Sequence, residues 1–242
     1  MVVPIDTINR LSDEYDLRTR LHAINYLRIY KTTKQLTNNE LSKLFNLNES
    51  IISRYLRGIV TPSVSKAKTI IDIAYNLLPT SDLIRNAVLK SEEAIDTSQL
   101  IIDHQRLSLI AYFVRTRILA NKKITKVCTI EPDGMSFGLL LSQELDVPLI
   151  CVRRDKGLQD AYTEYYTRRN DARMSTIYLN KTEIHPQDSI LLVDDLILTG
   201  KTYFALKRLF TKARVQFKLT VILVGDKKWQ NFSEDMTTLY NL

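Results

Sequence analysis

The segment Ser189–Thr202, SILLVDDLILTGKT, constrains the chain more than any other. Four apolar residues, Ile190–Val193, run into two adjacent carboxylates, Asp194 and Asp195; a hydroxyl-and-glycine loop follows, then a helical pattern over Lys201–Lys212. Such an apolar run, bounded by turn residues, reads as a strand buried on both faces, which belongs in a parallel sheet covered by helices. Neighbouring segments agree. Lys126–Ile130, Pro148–Val152, Thr176–Leu179 and Leu219–Val224 read as strands, and Met135–Leu145 reads as a helix. Their alternation predicts an α/β fold with ligands at the carboxyl ends of the strands. The tract 155–175, rich in Tyr and Arg, fits no period and is left as a loop or hairpin.

The loop after the two carboxylates has a definite chemistry. Backbone N–H groups at a helix start attract phosphate, Thr199 and Thr202 add hydroxyl donors, and Gly200 permits close approach. Asp194 and Asp195 can accept hydrogen bonds from vicinal sugar hydroxyls or hold Mg²⁺ through water. Together these describe a ribose 5-phosphate pocket; the alternative is a solvated turn after a strand. Gly200-Lys201-Thr202 also matches the end of a P-loop, but that motif requires glycine five residues earlier, where Asp195 stands. The P-loop reading fails.

Charge separates the chain into two parts. Of 34 Lys plus Arg and 27 Asp plus Glu, a net +7, Arg18–Lys90 carries 12 basic and four acidic residues. That stretch is +8 and the remainder is −1. Its periodicities are helical: Leu21–Tyr30, then Asn38–Phe45 behind a Thr37/Glu40 capping box. A helix capped by Asn48 and ending near Gly58 follows, and Pro62-Ser63 opens a further one. Two short helices joined by a tight turn suggest a helix-turn-helix. Ser50, Ser53, Arg54 and Arg57 share one face of the second helix, with donors suited to phosphates and base edges, while Ile52, Tyr55 and Leu56 can face a bundle. Glu49 would repel phosphate, although it could accept from cytosine. A helical bundle that binds protein is the alternative. Residues 97–120 read as one long helix between the two parts; its charged residues exclude a membrane span.

The segment LTNNELSKLFNLNESIISRYLRGIVTPS resembles the helix-turn-helix of the phage-repressor type, through Ile52-Ser53-Arg54-Tyr55-Leu56-Arg57-Gly58. Ser189–Thr202 resembles the 5-phosphoribosyl diphosphate (PRPP) motif of type I phosphoribosyltransferases, and Glu131-Pro132-Asp133-Gly134 resembles the loop that receives the diphosphate in that family. The resemblance implies that Asp194 and Asp195 bind ribose hydroxyls and that Leu198, Thr199, Gly200, Lys201 and Thr202 hold the 5′-phosphate. It further implies that Gly134 and its neighbours face the diphosphate, with Mg²⁺ accompanying it. Arg153, Arg154 and Lys156 are candidate diphosphate or lid contacts, or else a solvated basic turn. Asp133 beside Glu131 either opposes a polyanion or takes part in binding Mg²⁺.

The expected architecture is an all-helical, DNA-binding helix-turn-helix domain over 1–95 and a type I phosphoribosyltransferase-like domain over 96–242, its mostly parallel sheet flanked by helices. The whole looks like the archaeal orotate phosphoribosyltransferase-like regulators. That implies a transcription regulator that binds double-stranded DNA as a homodimer and senses PRPP or a nucleotide, controlling nucleotide metabolism or salvage genes. The alternative is an active phosphoribosyltransferase for orotate or a purine base, with an accessory helical domain. MVVPIDTINR shows no signal peptide, so a cytoplasmic location is expected. Cys128 and Cys151 read as core residues, and His22, His104 and His185 receive no role.

Overall fold

Helix capping and an apolar seam organise the first part of the chain, and a five-stranded parallel sheet the second. The computed structural model describes residues 5–91, 94–167 and 174–242. The chain forms two compact units, dividing after Asp82.

In the first unit, α1 (Ile5–Lys34), α2 (Asn38–Phe45), α3 (Glu49–Leu56) and α4 (Val64–Leu77) surround a core that includes Tyr26, Leu27, Leu41, Ile52 and Ile70. The expected capping box forms. Thr37 accepts from the Glu40 amide, and the Glu40 carboxylate accepts from Thr37 N–H at 2.7 Å. Asn46 ends α2 in the left-handed region, and Asn48 caps α3, its Oδ1 accepting from Ser50 N–H at 2.9 Å. Gly58, at φ +71°, follows α3, and Ser63 caps α4. The helix expected over Leu21–Tyr30 is the inner part of the 30-residue α1.

The second unit opens with the end of α5 (Thr80–Arg85) and a small antiparallel hairpin, β1 (Leu89–Lys90) with β2 (Ile95–Asp96). The single helix expected over 97–120 is interrupted. The chain forms α6 (Ser98–Ile102), breaks at Asp103, resumes as α7 (His104–Phe113) and finishes in a π-helical stretch, Val114–Ile118. The Asp103 carboxylate accepts from the Arg106 amide at 3.0 Å, so it caps a new helix instead of continuing the old one.

The sheet has the order β4 (Leu149–Val152), β3 (Lys126–Ile130), β7 (Ser189–Ile197), β8 (Gln216–Gly225), β9 (Met236–Asn241), and every pair is parallel. β3 and β7 are neighbours, but the chain leaves β3 toward β4 and leaves β7 toward β8. The order reverses between them and opens a crevice at their carboxyl ends. α8 (Met135–Leu145) packs on β3 and α7, while Tyr203, Leu206, Leu209 and Phe210 of α9 (Lys201–Ala213) share a core with Cys128, Ile130, Ile190 and Leu192.

The strand expected at Thr176–Leu179 belongs to a separate hairpin. β5 (Ala161–Thr167) and β6 (Met174–Asn180) pair antiparallel and form their own sheet, bridged to Arg153 through Tyr178. Glu164 of β5 is paired with Arg208 at 3.1 Å and Lys212 at 2.6 Å, both on α9. The tract 155–175, expected as a loop or hairpin, therefore includes β5 and the start of β6; residues 168–173 lie outside the described residues, as do Met1–Pro4 of the N-terminal segment.

Candidate functional site

The crevice between β3 and β7 is where the acidic pair and the first loop meet. Asp194 and Asp195 lie within β7, whose ladder to β8 continues through Ile197, and not at its end as the sequence suggests. Asp194 Oδ1 accepts from the Asp195 amide at 3.1 Å. Burial, then the neighbouring charge of Asp195, pushes the Asp194 carboxyl well above the usual carboxylate range. Asp195 is raised by burial too, and opposed by a hydrogen bond from Thr97 Oγ1 to its Oδ2 at 2.6 Å.

Gly134, between β3 and α8, abuts this pair. A Cβ there would overlap Thr129 Oγ1 and lie 3.0 Å from Asp194 Oδ1, so glycine is required by space. Thr129 Oγ1 is itself buried and has no hydrogen-bond partner among the described residues. Glu131 is turned toward the β4 side, where its Oε1 accepts from the Arg154 amide at 2.9 Å. Pro132 and Asp133 are exposed, and the Glu131–Pro132 peptide is cis.

After β7 the chain passes through Leu198–Gly200 into α9. Gly200 takes φ +72° and starts α9, whose first helical bond runs from Phe204 N–H to the Gly200 carbonyl at 2.9 Å. The first amides of α9 itself have no acceptor within the helix and lie at its positive end. A cavity of about 180 Å³ is lined by Asp194, Leu198, Thr199, Gly200, Lys201 and Thr202, among others. The structure thus brings this set together. Sequence reasoning missed Trp229, which fixes the loop from outside: its indole N–H donates to the Leu198 carbonyl at 2.8 Å, and its ring fills the space a Gly200 side chain would occupy. It also missed Thr97 and Thr129, which lie far from the motif in sequence.

The basic candidates sit elsewhere. Arg153 and Lys156 line a different cavity of about 390 Å³, with Tyr178, Asn180 and Glu183, and Arg154 meets the first loop through its backbone amide.

In the helical unit Arg54 and Arg57 are exposed, Ser53 is half-buried, and Ser50 donates its hydroxyl to the Asn48 side chain at 2.8 Å. Asn39 Nδ2 donates to Glu49 at 3.3 Å, holding that carboxylate against α2. Arg28 reaches from α1 to the Leu56 carbonyl with two nitrogens, at 2.8 and 3.0 Å, and fixes the carboxyl end of α3. Among the described residues no helix is long and apolar enough to cross a membrane.

Known proteins share the second unit's pattern. The chain is 30% identical over 106 residues to a xanthine phosphoribosyltransferase of Limosilactobacillus reuteri, a match covering 41% of this chain and 54% of that protein. It is 29% identical over 127 residues to a hypoxanthine/guanine phosphoribosyltransferase of Methanocella paludicola, covering 51% and 65%. The chain thus spans about half to two thirds of these relatives' length. The crystal structure of an APRTase from Giardia lamblia complexed with 9-deazaadenine superposes with a TM-score of 0.61 at 20% identity, over 67% of this chain and 97% of that one, which shows a shared fold. Residues 96–238 match the family described as the phosphoribosyl transferase domain, from β2 through the Glu131–Gly134 loop, the acidic pair and the Leu198–Thr202 segment to β9; the chain belongs to that family.

Proposed function

We propose that this chain is a DNA-binding regulator whose phosphoribosyltransferase unit binds PRPP or a related nucleotide, with the DNA-reading part over residues 1–95 and the ligand-binding part over 96–242. One observation carries this reading: a capped helix pair with Arg54 and Arg57 exposed on its second helix stands in the same chain as the Asp194–Thr202 cavity. In the cavity, the Leu198–Thr202 loop receives the 5′-phosphate and Asp194 accepts from a ribose hydroxyl, with Asp195 beside it in β7. A twofold dimer would present two α3 helices to half-sites about one helical turn apart. The stretch Arg18–Lys90, which spans most of the helical unit and the start of the next, is +8, which suits a polyanion.

Mg²⁺ fits the donor set. Asp194, Asp195 and Asp133 offer hard oxygens, while Glu131 is turned aside to the Arg154 amide; the close approach of Gly134 to Asp194 leaves backbone, not a side chain, facing the pair. Among the described residues no three metal-binding side chains converge. When bound, Mg²⁺ supplies charge neutralisation to the diphosphate. Asp194 and Asp195 hold the ion and the sugar, and the first loop faces the diphosphate.

The second reading is an active phosphoribosyltransferase, and the curated relatives favour it: those most similar carry enzyme names for xanthine, hypoxanthine/guanine and adenine. The two readings differ in turnover. Calorimetry with Mg²⁺ and PRPP, run beside a diphosphate-release assay with orotate, xanthine, hypoxanthine, guanine and adenine, separates them. Binding without release supports the sensor; sustained release with any base overturns it in favour of the enzyme. Fluorescence anisotropy on duplex DNA from upstream of the chain's own coding sequence tests the other half, with loss of binding expected in Arg54→Ala/Arg57→Ala.

A further inference from the structure

The position before α6 belongs by sequence to a helix cap, and Thr97 fills it. Its hydroxyl makes no cap bond. It is instead turned across the fold to Asp195 Oδ2, at 2.6 Å, with both residues only 7% exposed. The amide of Ser98 is satisfied by the Asp96 side chain at 2.8 Å, and the Thr97 carbonyl takes the Ile101 amide at 3.0 Å. A threonine hydroxyl in this place has two competing roles, capping its own helix or donating to a buried carboxylate.

The location of Thr97 gives that choice reach. It follows directly on β2, and the path from Asp82, where the helical unit ends, runs through α5 and the β1–β2 hairpin to Thr97. The start of that path is tied to α7, where Arg106 donates to the Leu83 carbonyl at 2.7 Å and to Asp103 at 3.0 Å. Its end is tied to the acidic pair. A hairpin with two residues per strand has little stability of its own, so these ties set its position.

We propose that Thr97 couples occupancy of the acidic pair to the segment leading out of the helical unit. This rests on the reading that the pair binds Mg²⁺ and PRPP. A cation or sugar hydroxyls that take up the charge of Asp195 weaken it as an acceptor, and the Thr97 hydroxyl shifts toward the start of α6. A ligand acts in this way only through different interactions with the two arrangements, and the hydroxyl supplies that difference. Thr97 is a positioning residue: it acts through Asp195.

The test is hydrogen exchange of the amides from Ile95 to Ile102 in the full chain, with and without Mg²⁺ and PRPP. Binding is followed in the same samples by Trp229 fluorescence and by calorimetry. Ligand is expected to change exchange at Ile101 and its neighbours by about threefold or more in wild type, a local opening effect. Thr97→Val should still bind ligand but lose that change, and Thr97→Ser should restore it; Thr97→Ala serves if the valine variant does not fold. A ligand-induced change that persists in Thr97→Val, or no change in wild type while heat and fluorescence report binding, overturns the coupling. Flat calorimetry and fluorescence in wild type overturn the ligand reading and the coupling with it, and the absence of heat identifies that failure.

Discussion

Trp229 closes the outer side of Gly200, so that the loop between β7 and α9 is a backbone turn pressed under an indole ring. Gly200→Ala meets two obstacles there, the left-handed φ of +72° and the ring itself. It should cost about 2–3 kcal/mol, combining backbone strain with overpacking, and should abolish PRPP binding by calorimetry. Trp229→Leu in the same background should recover the steric part of the loss and leave the φ part. Thermal unfolding of the two single variants and the double variant measures that non-additivity.

Asp194 should be worth more to the ligand than to the fold. Burial, then the charge of Asp195, raises its carboxyl in the folded state above the ordinary value near 3.8. A group raised on folding contributes stability that is complete below its unfolded pKa and lost as pH rises through its folded pKa. Asp194→Asn removes that loss. It should stabilise the ligand-free protein at pH 7 by about 0.5–2 kcal/mol, with the advantage over wild type vanishing near pH 4 and below, while PRPP binding disappears. Melting temperatures of both proteins across this pH range check the sign.

Asp188 should behave oppositely. Its burial would raise the carboxyl, but hydrogen bonds from the His185 amide, Lys126 and Thr125 outweigh that and hold it below its ordinary value. Its stabilising contribution is present above the unfolded pKa and lost as pH falls through the folded one. Asp188→Asn should destabilise by about 1–3 kcal/mol at pH 7, with the difference from wild type shrinking in acid. A deficit that grows on acidification contradicts the assignment.

Arg28 and Arg54 should affect DNA binding in different ways. Arg54→Ala removes an exposed cation, and should weaken binding while reducing the salt slope by about one contact. Arg28→Met removes the two bonds to the Leu56 carbonyl that hold α3. It should lower affinity and the stability of the helical unit by about 1 kcal/mol, with the salt slope unchanged. Anisotropy titrations across a salt series distinguish them.

The features legible in sequence are those fixed by neighbours in the chain. Thr37, Glu40, Asn48 and Ser63 cap helices where the pattern puts them, because each acts within three residues of itself. Asp194 through Thr202 run without interruption from β7 through a three-residue loop into α9, so the motif stays together in the structure. Asp103 shows the limit. The apolar period runs in phase across the break, and only the carboxylate's bond to the Arg106 amide divides α6 from α7. The β5–β6 hairpin shows no clean alternation, since Glu164 faces Arg208 and Lys212 where an apolar residue would otherwise mark the inner side. Thr97 gives no local signal at all: its partner lies 98 residues away.

The reversal of strand order between β3 and β7 has a consequence of another kind. That cleft is made by the path of the backbone, before any side chain is chosen to line it. The residues that line it can therefore change, or a module be added at one end, while the cleft itself persists. A catalyst and a gauge of its own reactant are neighbouring outcomes of this topology, separated by loops and not by architecture.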